Sequence, residues 1–143
     1  MIIEKLKKAD IPQLLELYKE LVDFENTIEQ ANEVYEKMLA DENYYLLVAK
    51  EEDKIVGTVL GIVCHSIPLT GMPFMVVEDV IVKEEYRRFG VGRKIFEKLD
   101  EIAKENNCGY SMLCSGERRK EAHIFYDKQG YNDEVKGFRK IYF

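Results

Sequence analysis

The sequence predicts an α/β fold, one mixed β-sheet flanked by helices, in a single domain spanning residues 1–143. Three observations predict it. Apolar residues switch along the chain between alternate and helical spacing, which marks strands and helices in turn. Those segments run strand, two helices, three strands, helix, strand, helix and a terminal strand, and interleaving of that kind builds a sheet covered by helices. Two glycines, Gly90 and Gly92, stand where a strand hands over to the longest helix, a junction that leaves main-chain amides free.

Each element has its own signal. Ile2 to Leu6 reads as a short first strand. Asp10 is placed to N-cap a helix to Val22, with Pro12 tolerated in the first turn. Ile11, Leu14, Leu15, Tyr18, Leu21 and Val22 keep helical spacing. Thr27-Ile28-Glu29-Gln30 has the form of a capping box. It starts a second helix with Val34, Tyr35, Met38 and Leu39 on one face. Tyr44–Ala49 and Lys54–Val63 are β-rich runs joined by Glu51-Glu52-Asp53, an antiparallel hairpin. Two prolines and a glycine make Ser66–Pro73 a loop. Phe74–Val82 follows as an apolar strand interrupted by Glu78 and Asp79, which strand alternation sends to opposite faces. A helix from Gly90 to Asn106 buries Ile95, Phe96, Leu99, Ile102 and Ala103. Tyr110–Cys114 is a buried strand. Arg118–Gln129 is a helix with Ala122, Phe125 and Tyr126 on one side, closed by Gly130 in the left-handed conformation. Asn132 to Tyr142 reads as one or two terminal strands.

Composition narrows the class. With 46% hydrophobic and 34% charged residues the chain is not a disordered one. The longest uncharged stretch, Ile55 to Val77, is broken by glycines and prolines and does not read as a membrane span. The N-terminus lacks a signal-peptide pattern, so a cytoplasmic protein is expected. Cys64, Cys108 and Cys114 are odd in number and fit no zinc spacing; reduced, mostly buried thiols are expected. His65 and His123 are far apart in sequence, and no metal site is expected. The net charge of −6 argues against nucleic acid as the main partner. From Asp23 to Asp53 there are ten acidic residues and two lysines, while from Lys83 onward 14 Lys or Arg meet 11 Asp or Glu. A polyanion on the second half and a cation nearer the first would fit that polarity.

The most informative segment is Arg87-Arg88-Phe89-Gly90-Val91-Gly92-Arg93-Lys94. The first N–H groups of a helix point outward, and the helix dipole adds partial positive charge there. Glycines remove side chains that would hold an anion away, so the turn reads as a phosphate cradle. A Walker A loop would need Lys and then Ser or Thr after the glycine, and Arg93-Lys94 does not supply them. A dinucleotide fingerprint would need a third glycine where Ile95 stands.

The remaining pattern, Arg/Gln-x-x-Gly-x-Gly/Ala, is met by Arg87, Gly90 and Gly92. Here the chain resembles the GNAT acetyltransferases, whose pyrophosphate loop has this form. Upstream, Val77 to Tyr86 resembles that family's central strand and its approach to the loop. Downstream, Ala122 to Tyr131 resembles its A-x-x-F-Y-x-x-x-G-F/Y segment. The pieces come in the family's order, and the likeness covers nearly the whole chain.

The resemblance implies acetyl-CoA as cosubstrate, no metal, and an N-acetyltransferase acting on a small-molecule or peptide amine. By the same resemblance, the backbone of Val80, Ile81 and Val82 pairs with the pantetheine arm. Amides from Arg88 through Phe89, Gly90, Val91 and Gly92 to Arg93 hold the pyrophosphate. Arg87, Arg88 and Arg93 are candidates for further phosphate contacts, with Arg119, Ala122 and Phe125 on the cofactor side of the last helix. Some relatives carry Asn where this chain has Arg119. Tyr126 is implied as the acid for the departing thiolate. Glu78 and Asp79 are the candidate bases, with Glu78 favoured, and an N–H near Val80 would serve the oxyanion. Direct transfer is expected over a route through Cys114. The acceptor cleft is expected around Phe24 to Ile28 and Ser66 to Pro73, taking a cationic amine such as a polyamine, an aminoglycoside or a lysine-containing peptide. The resemblance also allows a homodimer. The competing readings are a non-catalytic acyl-CoA-binding domain on the same scaffold and a dinucleotide-binding protein.

Overall fold

The computed structural model describes residues 1–143. Its centre is a five-stranded sheet in sequence order: β1 (Ile2–Lys5), β2 (Tyr44–Glu51), β3 (Lys54–Cys64), β4 (Phe74–Val82) and β5 (Ser111–Leu113). Neighbouring strands are antiparallel except β4 and β5, which run parallel. A parallel neighbour needs a crossover, and here it is α3 (Val91–Glu105). The remaining helices are α1 (Ile11–Tyr18), α2 (Ile28–Leu39) and α4 (Lys120–Lys128).

Two cores lie on opposite faces of the sheet. On one, Ile95, Phe96, Leu99 and Ile102 of α3 pack with Val59, Val63, Met75 and Val77, and Tyr126 of α4 closes the cluster. Phe96 is its hub, with ring centroids 5.4, 5.9 and 5.6 Å from Phe125, Tyr126 and Tyr131. Truncating a buried phenylalanine of this kind costs about 3–5 kcal/mol, so the position of Tyr126 is firmly braced. On the other face Ile11, Leu14 and Leu17 of α1 cover Val48, Ile55 and Ile81. Lys50 ties this side to the sheet, 2.9 Å from Glu4 and 2.7 Å from Asp10.

Several expectations are corrected. Asp10 does not cap α1 through its side chain; its carboxylate accepts from the Lys7 N–H and from Lys50. The Thr27–Gln30 capping box forms in both directions, yet α2 buries no residue, and Leu39 is 66% exposed. Ala31 and Tyr35 lean on the α1-side core, and the apolar face otherwise lines a cleft. The expected terminal strands do not form: residues 132–143 lie outside every strand. Val135, Phe138 and Ile141 recur every third residue, so no two-residue alternation exists to give a strand a buried face, and all three are exposed. Cys64 and Cys108 are half-buried and Cys114 is exposed, all as free thiols. No helix is long and apolar enough to cross a membrane.

Candidate active site

Between β4 and α3 the chain passes through Arg88 at φ 68° and Gly90 at φ 80°. Left-handed residues alternating with ordinary ones, as across Arg88, Phe89 and Gly90, turn neighbouring amides toward one side, a concavity suited to anions. None of the N–H groups from Arg88 to Arg93 donates to a backbone acceptor; bonding resumes where Lys94 donates to the Gly90 carbonyl. The two glycines act differently. A Cβ on Gly90 would meet nothing within 4 Å, whereas one on Gly92 would stand 2.9 Å from the Phe125 ring. Gly90 therefore keeps the cradle open, and Gly92 lets α4 dock on the start of α3.

The strand leading into this turn has a free edge. β5 pairs only with Met75, Val76 and Val77, so the amides and carbonyls from Glu78 to Val82 have no strand on that side. At the same place β4 bulges. Leu60 pairs with Glu78 and Thr58 with Ile81, leaving Val59 opposite both Asp79 and Val80. Asp79 takes φ 53°. An extra residue resets strand alternation: Val77 packs in the α3-side core and Ile81 in the α1-side core. Glu78, next to Val77, turns to the α1 side. Asp79 also turns there, lining a cleft with Tyr18 of α1. The two carboxylates thus share one face, contrary to the alternation expected from sequence.

Their surroundings favour the neutral form. Burial raises the Glu78 pKa, the charge on Asp79 raises it further, and Arg139 opposes. Burial alone raises that of Asp79, and nothing offsets it. On the other side, Tyr126 is 7% exposed. Its hydroxyl has no protein partner yet is not sealed from solvent. Burial raises its pKa, with Arg119 pulling it down, so the phenol is protonated at neutral pH. A free edge and paired carboxylates thus lie along the end of β4, the amide cradle follows at the start of α3, and the protonated phenol stands on α4 in the α3-side core.

The profile of the Acetyltransferase (GNAT) family matches residues 11–131. The chain belongs to that family. It is 29% identical to a thialysine N-ε-acetyltransferase of Sus scrofa, over an alignment covering all of this chain and 92% of that protein. Among solved structures, an Agrobacterium tumefaciens protein described as an acetyltransferase superposes with a TM-score of 0.93 at 30% identity, covering 99% of this chain and 100% of its own. Glucosamine-6-phosphate N-acetyltransferase from Arabidopsis thaliana shares the fold, with a TM-score of 0.90 at 24% identity and coverage of 99% and 97%. This chain is an N-acetyltransferase on the GNAT fold.

Within this GNAT domain the sequence candidates separate. Arg87 is a brace: its Nε donates to the Val82 carbonyl at 2.9 Å, and its guanidinium lies 3.5 Å from Glu20. Arg93 pairs with Glu97 at 3.4 Å. Arg88 and Phe89 stand in the open turn, where Phe89 is exposed. Val91 is buried in the α3-side core, and Val80, Val82, Ala122 and Phe125 lean on it. Arg119 occupies the N-cap of α4. Cys114 is exposed, with Gly137 beside it: a Cβ there would lie 2.9 Å from the sulfur. No group of three or more His, Cys, Asp or Glu is placed to hold a metal ion.

Sequence reasoning missed three neighbours of the site. Tyr18 looked like a core residue at helical spacing, but its phenol is near Asp79 and its pKa is raised, chiefly by burial. Tyr131 ended a motif, yet its hydroxyl is buried without a well-formed hydrogen bond, and burial lifts its pKa to about 12, with nearby Ser111 opposing. Arg139 faces Glu78 from the C-terminal segment, whose Phe143 ring packs 5.7 Å from Phe24. No local pattern marks such long-range partners.

A carboxyl with a raised folded pKa binds its proton more tightly when folded. Stability therefore falls as pH rises from the ordinary Asp value of 3.8 through the folded pKa, and above it the charge is a standing penalty. Asp79→Asn is expected to raise Tm near pH 7 by about 1–3 °C, a fraction of a kcal/mol at a site water reaches. The gain should vanish below pH 4. A calorimetric pH series checks both signs.

Proposed function

We propose that this enzyme transfers the acetyl group of acetyl-CoA directly to a primary amine. The observation that carries this reading is the run of main-chain N–H groups from Arg88 to Arg93 without protein acceptors. An anion with several oxygens is the ligand such a run suits. Arg88 and Lys94 stand in the same segment, and the open space at Gly90 leaves main chain within reach. The edge from Glu78 to Ile81, beyond which Arg87 donates to the Val82 carbonyl, suits an extended chain bearing amides. Acetyl-CoA, when bound, supplies the activated acyl carbon.

The protein's groups have distinct tasks in this reading. An alkylamine with a pKa of about 10.4 is almost wholly protonated at neutral pH, so a base must take its proton. Asp79 lines the cleft and has no cation beside it, while Glu78 is shared with Arg139. We therefore assign the ammonium to Asp79, with Glu78 beside it on the same face. A raised carboxylate pKa makes a stronger base, the useful direction here. Tyr126 holds the proton offered to the leaving sulfur. N–H groups near Val80 meet negative charge developing on the carbonyl oxygen. The Sus scrofa relative is named for an ε-nitrogen as its acceptor, in keeping with an amine on a flexible chain.

Calorimetry with coenzyme A, followed by thiol release from acetyl-CoA over a panel of primary amines, tests the reading. Saturable binding at a 1:1 ratio and amine-dependent thiol release are expected. No heat of binding from well-folded protein would defeat it.

A further inference from the structure

Ala31 and Tyr35 lean on the α1-side core, but no residue of α2 is fully buried, and a cavity of about 250 Å³ remains between α1, α2 and the sheet. Its walls are apolar: Leu14, Leu15, Val34 and Met38, with the rings of Tyr18 and Tyr35. Asp79 is the single carboxylate on its lining, and the bulge in β4 sets it there. The other polar groups are few. Tyr35 donates its hydroxyl to the Leu6 carbonyl, and the Gln30 side chain accepts from Thr27. Asn26 remains.

The geometry points to an acceptor with a compact apolar body and one terminal ammonium: an unbranched alkylamine or an arylalkylamine. The ammonium meets Asp79 and the hydrocarbon lies between α1 and α2. This rests on the acetyl-transfer reading and names its acceptor class. Volume sets the size, since 250 Å³ holds about eight water volumes, room for a body of eight or so heavy atoms. Chemistry excludes the polyhydroxylated amines. A sugar placed here would leave hydroxyls without partners, and unpaired buried polar groups are strongly discriminated against. The acidic stretch from Asp23 to Asp53 draws cations toward this side.

The test is a chain-length series, ethylamine to octylamine with phenethylamine and glucosamine, assayed by thiol release at saturating acetyl-CoA. We expect kcat/KM to rise about two- to fourfold per methylene, the effect of burying one CH₂, to a plateau near hexylamine. Glucosamine should fall at least about tenfold below hexylamine. Val34→Asp and Met38→Gln, at positions outside both cores, should flatten the series while coenzyme A binds as in the wild type. Thermal shift with hexylamine alone is the second readout: it should stabilise the wild type and not Val34→Asp. A flat series with efficient glucosamine turnover overturns this inference and leaves acetyl transfer standing. Hexylamine binding at this cavity without any turnover supports the inference and defeats the transfer reading instead.

Discussion

Tyr126→Phe is expected to lower kcat by about 10²–10³-fold, within the range that a positioned proton donor contributes, while leaving the dissociation constant of coenzyme A within about twofold. The structure separates these effects. The ring of Tyr126 belongs to the core around Phe96, 5.9 Å from it between centroids, and phenylalanine keeps that packing. The hydroxyl has no protein partner, so its removal breaks no bond of the fold. Burial raises its pKa above the ordinary 10.0, so the wild-type donor is intact throughout the neutral range. Any alkaline loss of activity assigned to this phenol must be centred above the ordinary tyrosine value and disappear in the variant. Tyr131 is the control. Its ring lies 6.5 Å from that of Tyr126, but its hydroxyl is shut away from solvent. Tyr131→Phe should keep kcat within about threefold, since its hydroxyl is enclosed beside Ser111. Equal losses in the two variants would place the effect in packing and remove Tyr126 from the chemistry.

Where local rules sufficed, the sequence was legible. Thr27 and Gln30 announced their helix start, Gly130 its left-handed close at φ 92°, and Arg87 to Gly92 the turn that opens α3. The strand Phe74–Val82 has the limits that its apolar run suggested. What failed depended on distant partners. Alternation put Glu78 and Asp79 on opposite faces, but the bulge opposite Val59 is an event between strands, and no residue type within β4 declares it. Arg87 fits the loop pattern, but its bonds to Val82 and Glu20 are set by distant partners that the pattern does not name. The helical stripe of α2 promised a core and lines a cavity, since periodicity tells which face is apolar and not what it meets. The terminal segment is apolar enough for a strand, but its three-residue spacing gives no face to bury.

Gly90 carries the other large expectation. At φ 80° and ψ 7° an L residue is strained by about 1–2 kcal/mol, so Gly90→Ala loses stability whatever binds nearby. That loss alone says nothing about ligands, and two comparisons isolate the rest. Gly130 has φ 92° and equally open space around a built Cβ, but it lies beyond α4, away from the free amides. Gly130→Ala should lose similar stability and keep coenzyme A affinity. Gly90→Asn should recover stability, because Asn visits the left-handed region more readily, yet it still sets a side chain in the cradle. Both Gly90 variants are expected to weaken coenzyme A binding about ten- to hundredfold, the worth of one or two hydrogen bonds to a charged group. No protein atom lies within 4 Å of that vacant Cβ position, so the fold itself has no need of the space. Only a ligand seated on the main chain does. Wild-type affinity in Gly90→Asn would mean that the free amides of Arg88 to Arg93 hold nothing, and the diphosphate would have to be sought elsewhere on the molecule.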